Sequence, residues 1–223
     1  MVRTVKPVSE QIAKWNYSYW DSFGIELQGS HSPHMWAQAL THLSKVYGLM
    51  EWKTMADIGC GFPPLDLQKI PMFSGIETIV RADGSQRIVD NLPEARIANF
   101  NKEPLPLQDN EVDFAISFEV IEHMFSTHGF LSELARISKY GFMVSKPNTD
   151  YDGLDSHWYG EKYFFDTGTP LFDGDVRFEH INFIPNYELF GFGKVLGYDV
   201  TLLDQPDEEM QFFLFVKKEL IAE

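Results

Sequence analysis

Apolar positions in this chain fall in short runs, and after residue 50 those runs alternate with stretches of helical period. "KTMADIG" (53–59), "IETIVRAD" (76–83), the weaker "ARIANF" (95–100), "VDFAISF" (112–118) and "YGFMVSK" (140–146) have the length and composition of strands. Between the fourth and fifth runs, "HGFLSELARISKY" spaces Phe130, Leu131, Leu134 and Ile137 along one helix face. A shorter helix is predicted at 86–92. Near the end, "NYELFGFGKVLG" predicts a helix and is followed by two strand candidates, "YDVTLLDQ" and "MQFFLFVKK". Strand–helix alternation of this kind predicts an α/β fold: a mainly parallel sheet with right-handed crossovers and helices on both faces.

Two stretches lie outside the alternation. Residues 1–50 read as helical and carry Trp15, Tyr17, Tyr19, Trp20, Phe23 and Trp36, which predicts a helical lid. Residues 148–180 are polar, turn-rich and aromatic at once, with Trp158, Tyr159, Tyr163, Phe164, Phe165, Phe172 and Phe178. So many rings argue against disorder, and a loop of this length in a compact domain is usually functional. It is expected to cap the carboxyl ends of the strands, where open α/β sheets bind ligands. The expected organisation is one domain over 1–223: lid 1–50, core 51–147, cap 148–180, and a last helix with two strands over 181–223.

Composition narrows the function classes. The chain has 223 residues, 44% hydrophobic and 15% aromatic, which suits a globular domain with its own core. No apolar run is long enough to span a bilayer, and the first twenty residues lack the apolar core of a signal peptide. A single cysteine, Cys60, gives no internal disulfide and no zinc cluster. Together these predict a cytoplasmic protein with no membrane contact. Lys and Arg number 18 against 33 Asp and Glu, for a net charge of −15. A phosphate-tracking protein shows a basic face, and no Lys/Arg cluster is present, so nucleic acid is not the expected partner.

Three segments carry candidate chemistry. In "ADIGCG" (56–61) a strand ends at Ile58, and Gly59 and Gly61 allow a tight turn that brings backbone close to a ligand. Asp57 can accept a hydrogen bond from a ligand ammonium or anchor the loop. In "RADGSQRIVDNL" (81–92), Asp83 follows the second strand, where an acidic side chain can accept from a ribose diol; Asp83 or Ser85 can equally cap the next helix. In "SFEVIEHM" (117–124), Glu119, Glu122 and His123 stand at i, i+3 and i+4, so on a helix they share a face.

Taken in order, Asp57-Ile-Gly-Cys-Gly, Asp83-Gly-Ser, "LPLQDNEVDFAISFEVIEHM" and "FLSELARISKYGFMVSKPN" resemble the class I S-adenosylmethionine-dependent methyltransferases, within their broad "type 11" small-molecule group. The resemblance covers roughly residues 50–150, with a fainter tail at "HINFIPNYELFGFGKVLGYDV". It implies a Rossmann-like, seven-stranded, mostly parallel sheet and S-adenosyl-L-methionine as cofactor. It implies that Asp57, Gly59, Cys60 and Gly61 line the amino-acid part of that cofactor, and that Asp83 and Gly84 hold its ribose. Asn99 or Asn101 would stand on the adenine side, and Phe118 and Glu119 beside the sulfonium. Two departures stand out: Phe62-Pro63-Pro64 gives a stiff, bulky continuation of the first loop, and "SKYGF" replaces the family's Lys-Pro-Gly-Gly turn.

The "EVIEH" cluster admits three readings. The acids suit the first turn of a helix. His123 with Glu119 is an acid–base pair for an acceptor hydroxyl. Finally, Glu119, Glu122, His123 and the distant His180 resemble the metal site of small-RNA 2′-O-methyltransferases, with oxygen and nitrogen ligands suited to magnesium, manganese or zinc. A metal is not expected; Glu119, His123 and His180 are the catalytic candidates. The expected activity is methyl transfer to a small-molecule acceptor at oxygen, such as a sugar or polysaccharide unit. The alternatives are a metal-dependent RNA 2′-O-methyltransferase and a catalytically silent binding protein. A nicotinamide enzyme is disfavoured because the third glycine of that fingerprint is missing.

Overall fold

The computed structural model describes residues 52–61, 74–148, 184–203 and 210–220. The lid 1–50, the loop Phe62-Pro63-Pro64, the stretch 149–183 and with it His180 lie outside the described residues. Seven strands form one sheet: β1 (Thr54–Ile58), β2 (Thr78–Asp83), β3 (Arg96–Ile97), β4 (Val112–Ser117), β5 (Ser138–Pro147), β6 (Tyr198–Leu202) and β7 (Met210–Lys217). Their order across the sheet is β3-β2-β1-β4-β5-β7-β6. The first five neighbours pair in parallel, and β7 runs antiparallel between β5 and β6.

The sheet is apolar on both faces, which is why its central strands read as unbroken hydrophobic runs. Ala56, Ile58, Ala115, Phe142, Val144, Phe213 and Phe215 point to one face. Met55, Phe114, Ile116, Met143, Phe212 and Leu214 point to the other. Against the first face lie helices α2 (Thr127–Ile137) and α3 (Asn186–Leu196), through Phe130, Leu131, Leu134, Ile137 and Leu189. A short helix, α1 (Gln86–Asn91), follows β2.

Local chemistry sets the ends of these elements. Ser126 caps α2 by accepting from the Gly129 N–H at 3.0 Å, and the Ser138 hydroxyl closes it by donating to the Leu134 carbonyl at 2.7 Å. Gly197, at φ 79°, terminates α3 in the left-handed conformation that glycine adopts without strain. Ser85 occupies the N-cap position of α1 without a side-chain capping bond. The loop 105–109 is held to α2 by Arg136, which donates to the carbonyls of Leu105 (3.1 Å) and Leu107 (2.9 Å) and to the carboxylates of Asp109 and Glu133.

The chain adds β2 and β3 on one side of β1, then crosses to add β4 on the other. That reversal opens a crevice outside the carboxyl ends of β1 and β4, where doubly wound sheets bind ligands.

Candidate active site

The turn after β1 enters this crevice. The Gly59 and Cys60 N–H groups both donate to the Ala82 carbonyl, at 2.8 and 3.3 Å, which ties the turn to the end of β2. Gly59 and Gly61 have φ of 75° and 58°. At Gly59 a glycine is required twice over, because a Cβ there would also collide with the Val120 side chain from the loop after β4. The turn therefore packs bare backbone at Gly59 against Val120. Cys60 contributes only that backbone: its thiol is buried in a small cluster with Ile88, Leu92 and Ala95. Burial, with Asp57 and Asp83 nearby, pushes the thiol well above its ordinary range.

Asp83 braces the turn. One carboxyl oxygen accepts from the Gly61 N–H at 3.0 Å and the other from the Ser85 N–H at 2.8 Å. Asp83 thus orders the loop before α1, with Gly84 in the bend between its two contacts, and does not cap that helix with its side chain.

Asp57 is different. It is 6% exposed, and its carboxylate accepts no hydrogen bond from any described residue; Oδ2 is fully buried. Burial lifts its pKa to about 7, with Arg81 pulling it down and Asp83 pushing it up. A buried acid without a hydrogen-bond donor, beside a glycine turn at the switch point, has the chemistry to accept from a cationic or N–H-bearing group.

Beyond β4 the structure departs from the expected helix. Glu119 takes a left-handed φ of 56°, and only Ile121–His123 form a turn of 3₁₀ helix before α2 begins at Thr127. Glu119, Glu122 and His123 therefore do not share one α-helical face. The outlier at Glu119 is held by its N–H donating to the Ser145 hydroxyl at 2.8 Å, and Ser117 similarly donates to the Ile58 carbonyl at 2.8 Å. These two serines, buried in otherwise apolar strands, knit the ends of β1, β4 and β5 together. Their only signal in the sequence is a hydroxyl in a buried run. Phe118 turns its ring into the core, edge-on to Phe212 at 5.5 Å. Glu122 is buried, and burial lifts its carboxyl to about 8 against the pull of Lys146. Lys146 is itself buried and donates to Gln211 Oε1 at 2.7 Å.

The two asparagines are distinguished by their contacts. Asn101 spends both ends of its amide on the turn after β4: Nδ2 donates to the His123 carbonyl at 3.2 Å and Oδ1 accepts from the Phe125 N–H at 2.7 Å. Asn99 Oδ1 accepts from the Asn101 N–H at 3.2 Å. Asn101 is thus a bridge between the loop after β3 and the turn carrying His123, which leaves Asn99 as the better adenine-side candidate. Among the described residues, no group of three or more His, Cys, Asp or Glu side chains is arranged to hold a metal ion.

Comparison with known proteins gives this geometry a context. Residues 56–144 match the model of the family described as "Methyltransferase domain". A stretch of 58 residues is 41% identical to a Mycolicibacterium smegmatis protein described as a probable S-adenosylmethionine-dependent methyltransferase. That match takes in 25% of this chain and spans only 23% of the curated relative's length. Among solved structures, the magnesium protoporphyrin IX methyltransferase of Synechocystis, determined with bound SAM, superposes with a TM-score of 0.59 at 10% identity, covering 97% of this chain and 100% of that one. A phosphoethanolamine N-methyltransferase of Haemonchus contortus, solved with phosphomonomethylethanolamine and S-adenosylhomocysteine, gives 0.55 at 15% identity over 94% of this chain and 57% of that one. At such identities the likeness establishes the fold.

Proposed function

We propose, from the match of residues 56–144 to the methyltransferase-domain model, that this chain binds S-adenosylmethionine and transfers its methyl group to a small-molecule acceptor, at oxygen. The observation that carries the reading is the buried, unbonded Asp57 carboxylate beside the glycine turn at the switch point. The residues fit the cofactor: Asp57 for its ammonium, the tight turn at Gly59 and Gly61 for close backbone approach, Asp83 for the ribose, and Asn99 on the adenine side. When bound, the cofactor supplies a methyl group activated on sulfonium.

The chain's own contribution is placement and proton handling. The crevice holds donor and acceptor in line, which supplies most of the acceleration in a displacement of this kind. His123, fixed through its backbone by Asn101, is the candidate to take the acceptor's hydroxyl proton at its imidazole, and Glu119, itself held at a left-handed φ, is the second candidate. His180 joins them as a candidate from outside the described residues. The net charge of −15 opposes a polyanionic acceptor and supports a small one.

Titration calorimetry of S-adenosylhomocysteine into the purified protein tests the reading. Micromolar-range binding is expected in the wild type and its loss in a folded Asp57→Ala variant. Unchanged affinity in that variant would remove Asp57 from the site. Repeating the titration with a chelator shows whether a divalent cation contributes to cofactor binding.

A further inference from the structure

Asp57 has an unusual neighbour. Its register partner across the β1–β2 pair is Arg81. Both lie on the same face of the sheet, since Met55 and Ile79 share that face while Ala56, Ile58, Val80 and Ala82 point to the other. Adjacent strands lie about 4.8 Å apart, well within an arginine's reach. A buried aspartate and an arginine so placed would ordinarily close a short, bidentate ion pair. Here they do not.

Asp57 Oδ2 is buried without a partner, and so is Arg81 Nε. Among the described residues the guanidinium makes one long contact, Nη1 to Glu94 Oε1 at 3.4 Å, and the Glu94 side chain is 54% exposed. The two groups nevertheless feel one another: the Arg81 charge draws the Asp57 pKa down against its burial, while Asp83 acts in the opposite sense. A carboxyl and a guanidinium, adjacent, largely withdrawn from water and not bonded to each other, are costly to keep in that state. They are complementary to a ligand group that carries both charges itself.

We propose that Arg81 is a specificity-determining residue for the amino-acid end of the cofactor, its guanidinium receiving the α-carboxylate while Asp57 receives the α-ammonium. The assignment rests on the cofactor reading above and adds to it a discrimination: the site selects a zwitterionic tail, not merely an adenosine or a cation.

The experiment uses the full chain and three probes in titration calorimetry. S-adenosylhomocysteine carries both charges, its decarboxylated analogue carries only the ammonium, and 5′-methylthioadenosine carries neither. In the wild type S-adenosylhomocysteine is expected to bind most tightly. Arg81→Met, which keeps the aliphatic stem, is expected to weaken S-adenosylhomocysteine about ten- to a hundredfold, the range of a charged hydrogen bond, and so bring it level with the decarboxylated analogue. Binding of 5′-methylthioadenosine should not change, which also shows that the variant is folded. Arg81→Lys should recover part of the preference for the carboxylate. A wild-type preference that survives in Arg81→Met overturns the proposal, and so does an equal loss for all three probes, which would make Arg81 structural. If the wild type binds none of the three, the cofactor reading itself falls; binding with an unaltered preference in Arg81→Met sinks only the role of Arg81.

Discussion

At the scale of single residues, Asp57 couples site and stability. Its carboxyl titrates at about 7 in the folded chain, against an ordinary value of 3.8. Between about pH 4 and pH 7 the native state therefore holds a proton that the unfolded chain has released, so this residue makes stability fall as pH rises through that window. A shift of this size corresponds to a penalty on the order of a few kcal/mol once the window is passed. Asp57→Asn keeps the shape and removes the charge. It is expected to match the wild type near pH 4 and to exceed it in stability above pH 7, as denaturant midpoints across pH 4–8.5 would show; a gap that stayed constant with pH would mean the carboxylate carries no such penalty. Gly59 permits a second test. Alanine there faces both a positive φ and the Val120 side chain, and should destabilise by about 1–3 kcal/mol. Pairing it with Val120→Ala should restore the steric part and not the backbone part. Full additivity of the two variants in thermal melts would contradict the collision.

Among the elements, those with strong apolar patterns were legible in the sequence, and the failures are local. β4 and β7 are buried on both faces, so their composition announced them, and β5 was located but extends further, from Ser138 to Pro147. The turn after β4 was misread as a helix because spacing at i, i+3 and i+4 carries no information about one residue, Glu119, that turns left-handed before the run begins. The tight turn at Gly59 and Gly61 was legible because such a turn is tied to glycine and to a strand end. Arg81 was not, because its meaning depends on a register with Asp57 that only the paired strands reveal. Nor does the sequence announce the Arg136 clamp, which joins loop 105–109 to α2 across about thirty positions. Arg136→Met would leave two backbone carbonyls and Glu133 without this donor. With the side chain 27% exposed, the expected loss is about 1–2 kcal/mol, read from the denaturation midpoint at unchanged slope. Arg136→Lys should recover little, since one ammonium cannot reproduce the guanidinium's several directed bonds. Full recovery by lysine would show that charge alone matters there.

For the whole molecule, the order of the strands brings candidate residues of the described core to one edge. Parallel β1, β2, β4 and β5 all end on the same side, so the glycine turn, Asp83, Glu119 and the Ser145–Lys146 end of β5 arrive together although they come from segments nearly ninety residues apart. Ligand bound at such an edge bridges strands that the backbone joins only by long crossovers, and it stabilises the whole sheet by mass action. At a hundredfold excess over its dissociation constant, a ligand specific to the native state adds about 2.7 kcal/mol. For a chain of this size that corresponds to a rise in melting temperature of roughly 5–10 °C. S-adenosylhomocysteine is expected to produce this shift in the wild type and to lose most of it in Asp57→Ala. Nicotinamide adenine dinucleotide at the same concentration is expected to produce none, because Gly59-Cys60-Gly61 opens onto a turn braced by Asp83 and closed on its far side by Val120. Equal stabilisation by both ligands would mean that the crevice recognises adenosine alone, and that the charged pair at Asp57 and Arg81 faces something other than the cofactor's amino-acid tail.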